Sequence, residues 1–188
     1  MKRILFGIAF SFFYSLPAYS VDLTAAFSAQ GGWAIPQEEV GELIENGNSV
    51  RFHIFGGAKV TKSGSVGLGL DFTYSEHAIK GGGGGHYQRI LWDWFFLPLG
   101  LGPLRIIPGI AWVGIDTKMD DLGVKEQSFR PAGVLGLELG LGVTKNINIL
   151  ATVRAERTMD DFEPVSTGGN KNITGDFVNA LVGLEVRM

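Results

Sequence analysis

The 188-residue sequence has no cysteine and only three histidines, and after its first twenty residues it has no apolar run long enough for a membrane-crossing helix. The first absence excludes a disulfide scaffold and any thiolate nucleophile or thiolate-held metal. Three scattered imidazoles give no metal-ligand spacing, so neither a metal site nor a cofactor is expected. A helical span needs about 20 apolar residues, which the chain beyond residue 20 does not supply. A formal charge of -3 gives no electrostatic ground for binding nucleic acid. Glycine, by contrast, is plentiful, at 28 residues alongside 45% hydrophobic side chains, a mixture richer in Gly than an ordinary globular domain.

The N-terminus carries the one long apolar run. Met1-Lys2-Arg3 is a basic lead, Ile4 to Leu16 is apolar, and Ala18-Tyr19-Ser20 has the small-x-small pattern of a signal-peptidase site. The pattern predicts a signal peptide over residues 1–20 and a single domain over 21–188. Loss of Lys2 and Arg3 takes the charge from -3 to -5.

From Leu23 onwards the chain alternates with a period of two, which is the signature of strands with two unlike faces. Eight strands are predicted: Leu23 to Ile35, Val50 to Val60, Ser65 to Ser75, Gln88 to Leu97, Leu104 to Asp116, Pro131 to Val143, Ile147 to Arg157 and Asp176 to Met188. The last is typical, with Val178, Ala180, Val182, Leu184 and Val186 on one face and Asn179, Gly183, Glu185 and Arg187 on the other. Leu104 to Asp116 is apolar on both faces. There Arg105 points to Leu104, Ile106, Ile110 and Trp112 as the outward set, and Pro108 should break a ladder bond or mark a bulge.

Connections alternate in length. Polar loops are read over Pro36 to Ser49, Glu76 to Tyr87, Thr117 to Arg130 and Met159 to Thr174, the second with a flexible tip at Gly81 to Gly85. Tight turns fall at Thr61 to Gly64, Pro98 to Pro103 and Thr144 to Asn146. In an up-and-down barrel this puts every long loop at one end and both termini at the other. The expected fold is therefore all-β, an eight-stranded antiparallel transmembrane barrel with short periplasmic turns and longer extracellular loops.

Charge decides which face is inside. The polar face is rich in Gly, Ala, Ser and Thr and sparsely charged, a poor surface for water but a suitable filling for a narrow lumen. Its ionisable residues nearly cancel: Arg51, Lys59, Arg89, Arg105, Arg154 and Arg187 against Asp71, Asp93, Glu138, Glu156 and Glu185, with His53 among them. Enclosed charges need partners. Trp33, Tyr74, Trp92, Trp94 and Trp112 near strand ends suit interfacial girdles.

This pattern resembles the small eight-stranded outer-membrane barrels of Gram-negative bacteria, namely the OmpA transmembrane domain, OmpX and Opa- and Lom-like surface proteins, over all of Val21 to Met188. The resemblance implies an outer-membrane location among lipopolysaccharide and a monomer. It also implies a last strand that the barrel assembly machinery reads during insertion. That strand usually ends in Phe or Trp, and here it ends in Met188.

Two functional readings remain open. An eight-stranded lumen is filled by side chains, which disfavours a general pore. The first reading is thus a non-enzymatic structural or adhesin-like surface protein, meeting an extracellular protein through acidic loops: Glu38, Glu39, Glu42, Glu45, Asp120, Asp121, Asp160 and Asp161, whose carboxylates could also contact divalent cations. The second is a lipid A-modifying enzyme using Ser75 and His77, two residues apart on one strand face. Against the second, the order is the reverse of the His-x-Ser of lipid A deacylase barrels. Both side chains are expected to be solvated at the rim, and an active nucleophile needs an oriented base and a third group.

Overall fold

A computed structural model describes residues 23–59, 65–82, 85–96, 99–101, 103–119, 124–159 and 176–188. The expected signal peptide lies outside them. The described strands are β1 (Leu23–Pro36), β2 (Gly47–Lys59), β3 (Ser65–His77), β4 (Gly85–Phe96), β5 (Leu99–Leu101), β6 (Leu104–Met119), β7 (Val124–Gly142), β8 (Ile147–Thr158) and β9 (Phe177–Arg187). All neighbours are antiparallel, and pairing of β1 with β9 and of β4 with β6 closes an eight-stranded barrel, the short β5 continuing the course of β4 along the same edge of β6.

The register fixes the barrel's shape. Partners traced from Ala26 through Phe55, Gly69, Phe95, Gly109, Val134, Glu156 and Phe177 return to β1 at Pro36, ten residues above the start. With ~3.3 Å per residue and ~4.8 Å between strands, that stagger tilts eight strands by about 40°. A barrel so proportioned has room inside for side chains and little else.

Period-two alternation becomes an inside and an outside. In β8 every second residue from Leu150 to Thr158 is buried and those between are exposed. The exposed set is apolar all round the wall: Phe52, Ile54, Leu68, Ile110, Leu135, Leu137, Val153, Val182 and Leu184 are each about half exposed. The buried set includes Arg51, Asp71, Arg89, Glu138, Arg154 and Glu185. Polar residues inside and apolar ones outside invert the arrangement that water selects, and match a wall solvated by hydrocarbon. Trp33, Trp92 and Trp112 lie on this wall toward one end, and Phe72 and Trp92 meet edge to face at 5.1 Å.

Several elements differ from the sequence reading. The segment read as a polar loop after β1 holds a helix, α1 (Glu38–Leu43). Val40 and Ile44, one helical turn apart, are buried while Glu38, Glu42 and Glu45 face out, so the glutamates mark one face of a turn. Glu38 enters it with φ 50, in the left-handed region. Thr117 to Arg130, also read as a loop, is mostly strand: β6 runs to Met119 and β7 starts at Val124, pairing without slip from Leu104 with Leu139 to Met119 with Val124. The ribbon rises beyond β8, since β7 meets β8 only from Ala132 downwards, while β4 follows β6 up to Met119.

Of the glycine tip, Gly81, at φ 81, and Gly82 belong to a 3-10 turn over Lys80–Gly82 and Gly85 opens β4, while Gly83 and Gly84 lie outside the described residues. Within the predicted turn from Pro98 to Pro103, Leu99–Leu101 forms β5. Pro108 makes no bulge. Its missing N–H falls where β6 changes partner, β5 ending opposite Ile106 and β4 opposite Gly109.

Candidate functional site

Among the described residues, the lumen is where the chain gathers its chemistry. Inward positions of β2, β3, β4, β6, β7, β8 and β9 bring charges of alternating sign into a continuous ladder. Nearest the termini, Arg187 Nε donates to Glu185 Oε1 at 2.5 Å, and Arg105 grips the Glu185 carboxylate through both Nη atoms at 2.6 and 2.9 Å. Asn148 adds a bond to Glu185 at 2.7 Å. Arg105 Nη1 also donates to Glu138 Oε1 at 2.8 Å, and Arg51 Nη1 reaches Glu138 Oε2 at 3.4 Å. Gln30 and Thr152 donate to the same Glu138 oxygen, each at 3.2 Å.

Asp71 is the hub. It accepts Arg51 Nε at 3.0 Å and Nη2 at 2.5 Å, Arg154 Nη1 at 2.8 Å and His53 Nδ1 at 2.6 Å. Arg154 Nε stands 3.1 Å from Glu156, Glu156 is paired with Arg89, and the Arg89 guanidinium caps the ladder over the Phe177 ring at 4.3 Å. Five guanidiniums thus alternate with four carboxylates. Only Arg105 and Arg187 keep appreciable exposure, their side chains being 14% and 43% accessible. A buried ion is costly unless paired, and here each paired carboxylate bridges two or more cations.

Of the residues singled out in the sequence, Arg51, His53, Asp71, Arg89, Arg105, Glu138, Arg154, Glu156, Glu185 and Arg187 come together in this ladder. For Lys59, in β2 opposite Ser65, and Asp93, beside Asp71 in the register, only the backbone is described. The same holds for Glu39 in α1. Glu38, Glu42 and Glu45 are exposed around α1, and Asp120, Asp121, Asp160 and Asp161 lie outside the described residues. Among the described residues no group of three or more His, Asp or Glu is placed to hold a metal ion. Gln30, Thr152, Asn148 and Asn179 were passed over because they are uncharged, yet they share the inward parity of the charged positions.

Above the ladder the lumen turns apolar. Tyr87, Leu91, Val113, Ile115, Val134 and Phe177 pack with Ala34, and Val40 and Ile44 of α1 close over them, both no more than 1% exposed. The sequence reading had the inner face polar except in the strand from Leu104 to Asp116; above the ladder it is a hydrophobic core with its own lid. The lid is tied down by backbone, with Glu45 N donating to Ala78 O at 2.9 Å and Ile44 bridging Ile79. Lys80 Nζ donates to Gly41 O at 2.5 Å.

Ser75 and His77 belong to this cap and are not solvated, being 1% and 3% exposed. The expectation of rim residues in water is corrected by α1, which covers them. His77 Nδ1 lies 2.9 Å from the carbonyl oxygen of Glu45, which can only accept, so Nδ1 carries the proton and Nε2 accepts from Ser75 Oγ at 3.1 Å. The ring packs on Tyr87 and Phe177. The bonds are those of an oriented hydroxyl–imidazole pair, but a backbone carbonyl of the lid holds the imidazole, and a substrate would have to displace α1 to reach Ser75. The geometry makes the pair a latch between β3 and the lid.

No protein-family model matches the sequence, and no curated protein does. Solved structures do match in fold. Ail, the attachment invasion locus protein of Yersinia pestis, is 12% identical and aligns over 88% of this chain and 98% of its own, with a TM-score of 0.55. A major outer membrane protein from Thermus thermophilus is 11% identical over 89% of this chain and 100% of its own, with a TM-score of 0.52. The chain has the fold of the small eight-stranded outer-membrane barrels.

Proposed function

We propose that the protein is a non-enzymatic barrel of a Gram-negative outer membrane, inserted by the barrel assembly machinery and surrounded by lipopolysaccharide. It acts as a monomer that braces the membrane and meets an extracellular protein through its loop end. The single observation that supports this reading best is the inverted barrel: an apolar outer wall around a lumen filled by an ion ladder below and a hydrophobic core with a helical lid above. Such a lumen leaves no path for solutes. What the described residues present at the loop end is α1 with its exposed glutamates and the upper β6–β7 ribbon, which are the surfaces left to a partner.

The decisive measurement is heat-modifiable gel mobility of the outer-membrane fraction. A folded barrel migrates differently before and after boiling, and a single mobility together with recovery in the soluble fraction would overturn the membrane placement. Enzymatic work is tested separately. Lipid A from cells with and without the protein should have identical acyl patterns in the mass spectrum, and a pattern that changes and reverts with Ser75→Ala would replace the non-enzymatic reading.

A further inference from the structure

We propose that the lipid-facing wall carries a seat for one phosphate-bearing lipid of the outer leaflet, an acyl chain lying in a groove over β7, β8 and β9 and its phosphate on Arg157. This inference rests on the membrane placement proposed above.

The groove has a volume of about 490 Å³. Small outward residues make its floor: Gly133 and Ala155 stand in register beside Arg157 and Leu135, and Ala155 faces Val178 on β9. A side-chain carbon added at Gly133 would meet nothing within 4 Å, so the depression is open. Allowing for the strand tilt, the mouth of the groove stands at the height of Trp33 and Trp112, where aromatic side chains mark the boundary between headgroups and hydrocarbon. Below that height the solvent of the wall is acyl chain, and an apolar notch there is filled by one.

The polar groups at the mouth turn this wetting into a site. The Arg157 side chain is 78% exposed, and its Nε is 3.7 Å from Asp176 Oδ2, a loose pairing that steers the guanidinium without saturating it. Asp176 is itself fixed, accepting the Thr158 N–H through Oδ1 at 3.3 Å. A guanidinium held at the membrane boundary, with donors facing out, suits a phosphate better than an ammonium would, because its planar fork binds two oxygens at once. Glu38 also borders the mouth. Its carboxylate opposes a phosphate, which gives the proposal a sign that a merely greasy groove lacks.

The probe is bisphosphorylated lipid A, added to the protein purified from outer membranes in mild detergent and read by native mass spectrometry. Lipid A stripped of its phosphates is the comparison. One lipid A per barrel is expected to survive on the natural protein, with apparent affinity falling about tenfold in Arg157→Gln, the worth of one charge-assisted contact. Ala155→Phe, which fills the groove, should cause a similar loss, Glu38→Gln should tighten binding, and the stripped lipid should bind as weakly to the natural protein as lipid A does to R157Q. Equal retention by the natural protein and both groove variants, or by lipid A and its stripped form, overturns the proposal. Each variant is first shown to be heat-modifiable, so that a loss is not misfolding. If the natural protein itself were not heat-modifiable, the membrane placement would fail before any lipid is added, and this proposal with it.

Discussion

At the scale of the residue, Asp71 ties β2, β3 and β8 together through one carboxylate. It is fully enclosed and holds Arg51, Arg154 and His53 at once, so its removal strands three donors rather than one. Breaking a buried pair by deleting one partner typically costs 3–5 kcal/mol. Asp71→Asn is therefore expected to destabilise the barrel by about that much in urea unfolding from lipid vesicles, followed by tryptophan fluorescence. Arg187 gives the contrast within the same ladder. Its side chain is 43% exposed and it binds a carboxylate that Arg105 already holds, so Arg187→Gln should cost no more than about 1 kcal/mol. Equal effects of the two substitutions would mean that the ladder is not anchored at Asp71.

At the scale of the element, α1 and the closing seam are the parts with most to lose. The lid stands on Val40 and Ile44 in the upper core. The double substitution Val40→Asp, Ile44→Asp would bury two unpaired charges, so the lid should lift instead. The expected outcome is rapid proteolytic cleavage between residues 37 and 46 while the barrel stays heat-modifiable; an uncut segment would show that the barrel does not depend on these contacts to hold the lid. The seam of β1 with β9 is closely packed, because a Cβ at Gly183 would lie 2.0 Å from the Ala29 carbonyl oxygen. Gly183→Ala should accordingly lower the refolding yield, whereas Gly133→Ala, in open space, should not.

These elements also show what a sequence discloses. The eight barrel strands were legible because each crosses a boundary between hydrocarbon and lumen, which writes a period of two into β8 and β9. The upper β6–β7 ribbon has no apolar period, so its pairing, Thr117 with Glu126 and Asp116 with Gln127, is not legible as strand. The lid was harder to see for a different reason, since Val40, Leu43 and Ile44 among four glutamates are too short an apolar pattern to announce a helix. For the ladder, parity distinguished inside from outside, but which arginine meets which acid depends on the stagger of ten residues, and no single strand contains that.

At the scale of the whole molecule, the closed register makes one arrangement of ends compulsory. The start of β1 and the end of β9 are hydrogen-bonded neighbours, Met188 N donating to Ala25 O at 2.8 Å and Ala25 N to Met188 O at 3.2 Å. The turn over residues 143–146 lies at that same end, because β7 and β8 each cross the barrel once, and α1 with the segment after β3 lies at the other. In the membrane placement proposed above, the lid end faces the outside and the termini the periplasm. The natural absence of cysteine makes this directly testable, since any introduced thiol is the only one in the chain. Ala78→Cys, exposed beside the lid, should react with a membrane-impermeant maleimide on intact cells. Lys145→Cys, exposed in the β7–β8 turn, should react only after the outer membrane is opened. Labelling of Lys145→Cys but not Ala78→Cys on intact cells would reverse the barrel and turn the lid, with its buried Ser75–His77 latch, toward the periplasm; labelling of both would deny that the barrel crosses the membrane at all.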